Sequence, residues 1–196
     1  MNIGLILGII VSIIFLLSYI PQLRTLYLSN EVQGVSKIFW LGISLATSIT
    51  ATTLIESHSV WYVVVPQCIN AFIAFIILIW VTYKKFGLYG TWVYFMIYAF
   101  SISVLSKWVP NDVVQHWSSL IIMFVYIEQI AHLIYNKTAQ GVNYLLYVGF
   151  AAGLIIMVIN MSFTGAPVSA IITELTNVIM MIIAVFATII LNKKQN

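Results

Sequence analysis

Four polar side chains lie in stretches of the sequence that are otherwise apolar. Asn70 and Asn177 each stand about ten residues into an apolar run, and Gln67 and Glu174 precede them by three residues. Residues three apart on a helix share a face. Inside a membrane, such side chains bind a solute or ion, or they hydrogen-bond a neighbouring helix. Because the two asparagines lie at matched depth, we favour a substrate-binding site formed by Asn70, Asn177, Glu174 and Gln67.

Glu174 also has the chemistry of a proton carrier. An ionised carboxylate at this depth costs about 2.5–3.5 kcal/mol on insertion scales, so we expect Glu174 to face the interior of a helix bundle. A protonated, purely structural acid is the alternative. Glu128 and His132, four residues apart and hence on one helical face, form either a second proton relay or a pair that stabilises its helix.

Enzyme chemistry has no support in the sequence. His58, His116 and His132 are scattered and Cys68 has no second cysteine to pair with, so no metal site is predicted. A phosphate-binding loop, a nucleophile elbow and a zinc-protease helix are all missing. We therefore expect a protein that is not an enzyme and that needs no cofactor.

The elements that carry these residues are predicted to be membrane-spanning helices. The chain has 196 residues, of which 62% are hydrophobic and only 7% charged, whereas soluble domains are about 25% charged. Apolar runs of about 20 residues recur, each long enough to cross a hydrocarbon core of about 30 Å as a helix. The predicted helices are 3–27, 37–57, 60–83, 88–106, 114–135, 142–162 and 167–191.

The positive charges predict the orientation of these helices. Seven of the eight Lys and Arg residues fall in connections on one side, and Lys107 alone falls on the other. The positive-inside rule then places the N-terminus outside and the C-terminus in the cytoplasm. Because topology accounts for the net charge of +3, we expect no affinity for nucleic acid.

The sequence contains an internal repeat. Residues 19–36 (YIPQLRTLYLSNEVQGVS) align without a gap on residues 126–143 (YIEQIAHLIYNKTAQGVN), with seven identities in eighteen positions. The same offset of 107 residues aligns Asn70 with Asn177, and the small residues Gly42 and Ala46 with Gly149 and Gly153. Small residues spaced along a helix allow close packing in lipid. The first three helices are therefore repeated as the last three, and the fourth joins the two copies.

The motif Pro21-Gln22, followed by QGVS at residues 33–36, resembles the PQ-loop motif. Together with the repeat, it makes the chain similar to the PQ-loop/SWEET superfamily over essentially its whole length. The resemblance implies an all-α membrane protein with seven transmembrane helices in a 3+1+3 arrangement. A first triple-helix bundle would occupy 1–86, a linker helix with its outer loop 87–111, and a second bundle with a short tail 112–196.

The resemblance also implies function. Such proteins alternate access by rocking two bundles, and SWEET-type members hold their ligand with asparagines of the third and seventh helices, as Asn70 and Asn177 would. Pro21 is then either the hinge of the cytoplasmic gate or a fixed kink, and Gln22 and Gln129 are expected to bond across the bundle there. Sugar-carrying members set a tryptophan against the pocket from the second helix, whereas Trp40 is expected at the inner end of that helix.

We therefore predict a plasma-membrane transporter of a small polar organic solute, with sugar as the family default. A proton-coupled transporter of an amino acid or a vitamin-like molecule is the alternative within the same class. A ligand-binding receptor related to the PQ-loop proteins is the alternative from another class. The expected partners are the solute and the lipid bilayer, and the sequence also allows a homo-oligomer.

Overall fold

The computed structural model describes residues 3–28, 32, 34–137 and 142–193. Within these ranges the chain forms helices and turns and no strand, and six of its helices are long and apolar enough to cross a membrane. Their bounds are α1 Ile3–Leu28, α2 Lys37–Glu56, α3 Trp61–Trp108, α4 Asn111–Asn136, α5 Tyr144–Thr164 and α6 Val168–Lys193. The predicted helix ends agree to within about three residues, except that α3 unites the predicted helices 60–83 and 88–106.

Helix α3 changes direction at Gly87. This residue has φ 68° and ψ −165°, a backbone conformation that residues with a side chain rarely adopt. In a straight helix Phe75 and Tyr98 would lie about 35 Å apart along the axis, whereas their ring centroids are 4.6 Å apart. The segments 61–86 and 88–108 therefore fold back on each other as a helical hairpin.

The lysines near this hairpin lie at the end of the molecule where α1 finishes and α2 begins. Lys84 Nζ donates to the carbonyl of Leu26 in the last turn of α1. Lys85 Nζ donates to the carbonyl of Val35, just before α2. The α1–α2 connection and the turn at Gly87 thus share one end, as the charge pattern predicts. We call this end of the molecule the basic end.

The six helices form two groups, in each of which the third helix lies between the other two. Helix α3 packs on α1 and α2, and α6 packs on α4 and α5. Across the described ranges, the backbone of α1 does not come close to that of α2, nor that of α4 to α5. The groups meet along two interfaces, α1 with α5 and α2 with α4. Adding 107 to the residue numbers takes α1 to α4 and α2 to α5, so the two interfaces are formed by equivalent pairs of helices.

Glycines set the distance between the two groups. A Cβ added at Gly42 would lie 2.2 Å from Val125 Cγ1, and one added at Gly149 would lie 2.2 Å from Ser18 Oγ. The glycines are 107 residues apart, and so are Ser18 and Val125. The same close contact is therefore made twice, once in each interface, which is the role expected for the aligned small residues.

Candidate functional site

A cavity lies at the centre of the molecule and is walled by all six helices. Its empty volume is about 300 Å³, but it is so narrow that the centre of a water molecule can occupy only about 20 Å³ of it. In this conformation it therefore has room for about one water molecule. The lining residues are Tyr19, Phe39, Trp40, Ile43, Thr47, Asn70, Tyr126, Leu146, Tyr147, Phe150, Asn177 and Met181.

The wall of this cavity follows the internal repeat. Ten of the twelve lining residues form five pairs whose members are 107 positions apart. The pairs are Tyr19 with Tyr126, Phe39 with Leu146, Trp40 with Tyr147, Ile43 with Phe150 and Asn70 with Asn177. The cavity is thus built from equivalent positions of the two copies, as expected for a site on the axis that relates them.

Asn70 and Asn177 occupy equivalent places in this wall. Asn70 is the tenth residue of α3 and Asn177 the tenth of α6, which is about 14 Å from each helix start. Both side chains are buried. Asn70 Oδ1 accepts a hydrogen bond of 2.7 Å from Tyr19 Oη, whose hydroxyl also approaches the Asn70 carbonyl oxygen at 3.1 Å. The sequence predicted the two asparagines as site residues, whereas Tyr19 was recognised only as part of the repeated segment.

Gln67 and Glu174 meet beside the cavity and are not among its lining residues. Gln67 Nε2 donates to Glu174 Oε1 at 2.9 Å, and Asn177 Nδ2 donates to Glu174 Oε2 at 3.4 Å. The backbones of α3 and α6 are not in close contact, so these long side chains bridge the two central helices. Gln67 and Glu174 are themselves 107 residues apart, and their contact therefore lies where the two copies face each other.

Trp40 corrects one expectation from the sequence. It was expected at the inner end of the second helix, away from the pocket, because it is the fourth residue of α2. Its side chain is buried and lines the cavity, packing edge-on against Phe39 with ring centroids 5.3 Å apart. An indole is long enough to reach the cavity from the first turn of a helix.

The glutamines predicted at the gate bond across the two groups at the basic end. Gln129 Oε1 accepts from the backbone N–H of Ser36 at 3.0 Å, and Gln22 Oε1 accepts from the backbone N–H of Asn143 at 2.9 Å. Ser36 and Asn143 are the N-caps of α2 and α5. Gln129 and Asn143 stand 107 positions after Gln22 and Ser36. Each glutamine therefore accepts a hydrogen bond from the N-cap position of the other copy. One interaction is therefore made reciprocally, and it joins the groups at this end.

Two further predicted residues lie near this junction. Pro21 lies within the continuous helix α1, directly before Gln22. Glu128 is at the position that aligns with Pro21. Its Oε2 accepts from the hydroxyl of Ser36, so its carboxylate holds the start of α2. His132 is half-buried one turn further along α4. The assignments of Pro21 as a hinge and of Glu128 and His132 as a relay stay predictions. Gln33 of the motif lies outside the described residues.

A polar contact toward the opposite end was not identified in the sequence. Gln115 Nε2 donates to Thr50 Oγ1 at 3.0 Å and to Thr173 Oγ1 at 2.7 Å, and it thereby links α2 of one group to α4 and α6 of the other. Position 115 aligns with Gly8 in the first copy, so this link has no counterpart there. The signal in the sequence that could have identified this contact was a glutamine near the start of an apolar helix.

Among the described residues, no three His, Cys, Asp or Glu side chains lie close enough together to hold a metal ion. Comparison of the chain with protein-family models, with curated proteins and with solved structures finds no match.

Proposed function

We propose that the protein is a transporter that carries a small polar organic solute across the membrane by alternating access between its two helix groups. The observation that carries the proposal is the cavity wall made of residue pairs 107 positions apart. A site on the axis between two equivalent groups can open to either side when the groups rock. The narrow volume of about 20 Å³ open to water then belongs to a conformation that must widen to admit a solute.

The proposal includes a seven-span topology. The hairpin at Gly87 supports it, because the segments 61–86 and 88–108 are each long enough to cross a core of about 30 Å. The chain is then a 3+1+3 protein of the PQ-loop/SWEET type, with its N-terminus outside and its C-terminus in the cytoplasm of the plasma membrane. Reporters fused before Ile3 and after Lys193 should lie on opposite sides of the membrane. Reporters on the same side would remove the seven-span topology.

Sugar is the first substrate class to test. Aromatic rings, two amides and hydroxyls line the cavity, and none of the described residues in its wall is charged, which suits a neutral solute with hydroxyl groups. Purified protein in liposomes should take up one member of a labelled panel of sugars, amino acids and vitamins. Binding without flux would instead favour the receptor alternative.

The asparagines supply the mutational test. Asn70→Ala and Asn177→Ala should each weaken binding of the transported solute by about tenfold or less, since a neutral hydrogen bond contributes about 0.5–1.5 kcal/mol net. Asn160→Ala is a matched control, because Asn160 is equally buried but does not line the cavity. Normal binding by both cavity variants would place the site elsewhere.

Proton coupling is the second candidate, and the burial of Glu174 between amide donors favours it. A carboxylate at this depth can carry a proton between the two sides of the membrane. Glu174→Gln should then abolish accumulation driven by a pH gradient and preserve exchange of labelled for unlabelled solute. If wild-type transport ignores the pH gradient, uncoupled transport is the better description.

A further inference from the structure

The two copies of the repeat differ in one pair of cavity residues. In the first copy, the hydroxyl of Tyr19 is bonded to Asn70 Oδ1 at 2.7 Å. The equivalent atoms of the second copy are the hydroxyl of Tyr126 and Asn177 Oδ1. Both are buried, and neither has a hydrogen-bond partner among the described residues. The hydrogen bond between tyrosine and asparagine is therefore formed in the first-copy half of the cavity and is not formed in the second-copy half.

The copies also differ in what holds this asparagine. Glu174 Oε2 accepts the N–H of the Asn177 side chain at 3.4 Å, which orients the amide with its Oδ1 away from the carboxylate. The first copy has Gln67 at this position, and Gln67 donates to Glu174 rather than to Asn70. Glu174 is thus a positioning residue for the Asn177 amide.

Two unpaired polar groups in the second-copy half of one cavity call for a ligand. The large majority of buried side-chain polar atoms in proteins are paired, because an unpaired one is costly. Tyr126 and Asn177 both line the cavity. One of them offers an O–H donor and the other only a carbonyl acceptor, so a single ligand group that accepts one hydrogen bond and donates another satisfies both.

We propose that the hydroxyl of Tyr126 and Oδ1 of Asn177 form a subsite for one hydroxyl group of the solute. The solute hydroxyl accepts from Tyr126 and donates to Asn177, while the bond between Tyr19 and Asn70 stays closed. A carboxylate has no donor for Asn177 Oδ1. An ammonium has no acceptor for the hydroxyl of Tyr126. This subsite rests on the proposed transport function.

The test uses pairs of labelled solutes that differ by one hydroxyl group. They are D-glucose with 2-deoxy-D-glucose, L-serine with L-alanine, and glycerol with propane-1,2-diol, each assayed for uptake and exchange in liposomes that contain the full-length protein. We expect wild type to prefer the hydroxylated member of the pair that it carries by about tenfold. Tyr126→Phe should erase this preference. Tyr19→Phe is the matched control and should keep it.

The outcomes separate the subsite from the proposed function. Uptake of none of the six solutes would overturn the subsite, whereas the proposed transport function is overturned only if the whole panel of sugars, amino acids and vitamins is not carried. Uptake without a hydroxyl preference, or a preference that survives in Tyr126→Phe, would overturn the subsite and leave transport intact.

Thermal unfolding in detergent supplies a readout that needs no solute. Tyr126→Phe should leave Tm unchanged or raise it, because the hydroxyl that it removes is unpaired. Tyr19→Phe should lower Tm by about 3 °C, because it leaves Asn70 Oδ1 without its donor. Equal losses in the two variants would mean that Tyr126 has an internal partner, and the subsite assignment would be wrong.

Discussion

The basic end of the molecule and its centre use the internal repeat differently. At the basic end, Gln22 and Gln129 make the same bond in both directions, each to the N-cap of a helix in the other group. At the centre, the equivalent residues Gln67 and Glu174 are different and bind each other. The end that holds the groups together keeps the two copies alike, whereas the region beside the cavity makes them unlike. Equivalent contacts suit a motion in which both groups move alike, and unequal ones suit a solute that has no twofold symmetry.

The contact at the centre should give the largest effect when it is broken. Glu174→Leu removes the acceptor for the side-chain N–H groups of Gln67 and Asn177. Leaving two buried donors unpaired should lower the free energy of unfolding by about 2–6 kcal/mol. Glu174→Gln is the control, because an amide can accept one of these bonds and should cost about half as much. Thermal unfolding in detergent measures both variants, and equal stability of the two would contradict the role of the carboxylate as an acceptor.

The close contacts between the groups should give an intermediate effect and sharpen the comparison. Gly42→Ala and Gly149→Ala each place a methyl group 2.2 Å from an atom of the facing helix. Overpacking of this kind costs about 1–3 kcal/mol, and the two variants should lose similar amounts because the interfaces are equivalent. Unfolding measured side by side checks this, and a loss confined to one variant would show that the interfaces are not equivalent.

The reciprocal bonds at the basic end should give the smallest effect. Gln22→Ala and Gln129→Ala should each favour opening of this end by about 0.5–1.5 kcal/mol, or about two- to thirteenfold. The measurement is labelling of Ile43→Cys, a cavity position, by a membrane-impermeant thiol reagent in a Cys68→Ser background. Faster labelling from the basic side is expected in both variants. A response in only one would break the symmetry of this end.

Much of the fold follows from the sequence. Hydropathy and length predicted every helix, and the six membrane-suited helices of the structure confirm the helical, membrane-like class. The offset of 107 residues predicted which positions correspond. It also predicted that Asn70 and Asn177 would be equivalent, since alignment requires no knowledge of packing.

The order of the helices and most of the side chains that line the cavity could not be predicted. Both depend on how each helix is rotated and which helices are neighbours, and an apolar sequence gives little information on either. Apolar residues cover most of the surface of each of these helices, so periodicity could not show that α3 lies between α1 and α2. For the same reason the sequence placed Trp40 outside the pocket and did not identify Tyr126 as a wall residue. It predicted Gln67 and Glu174 as ligands of a solute, which stays a prediction, and it did not predict the hydrogen bond between them. Only the positions of backbones fix such contacts.

The hairpin at Gly87 affects which residues can stand at the axis that relates the two three-helix copies. Its second arm, 88–108, folds back along the first arm, so both three-helix copies can run in the same direction within one polypeptide. Two separate, identical copies would have to place the same residue at both sides of the axis. A pair of glutamates there would repel, and a pair of glutamines would carry no ionisable group. A single chain can place one of each, and so hold a single carboxylate where the copies meet.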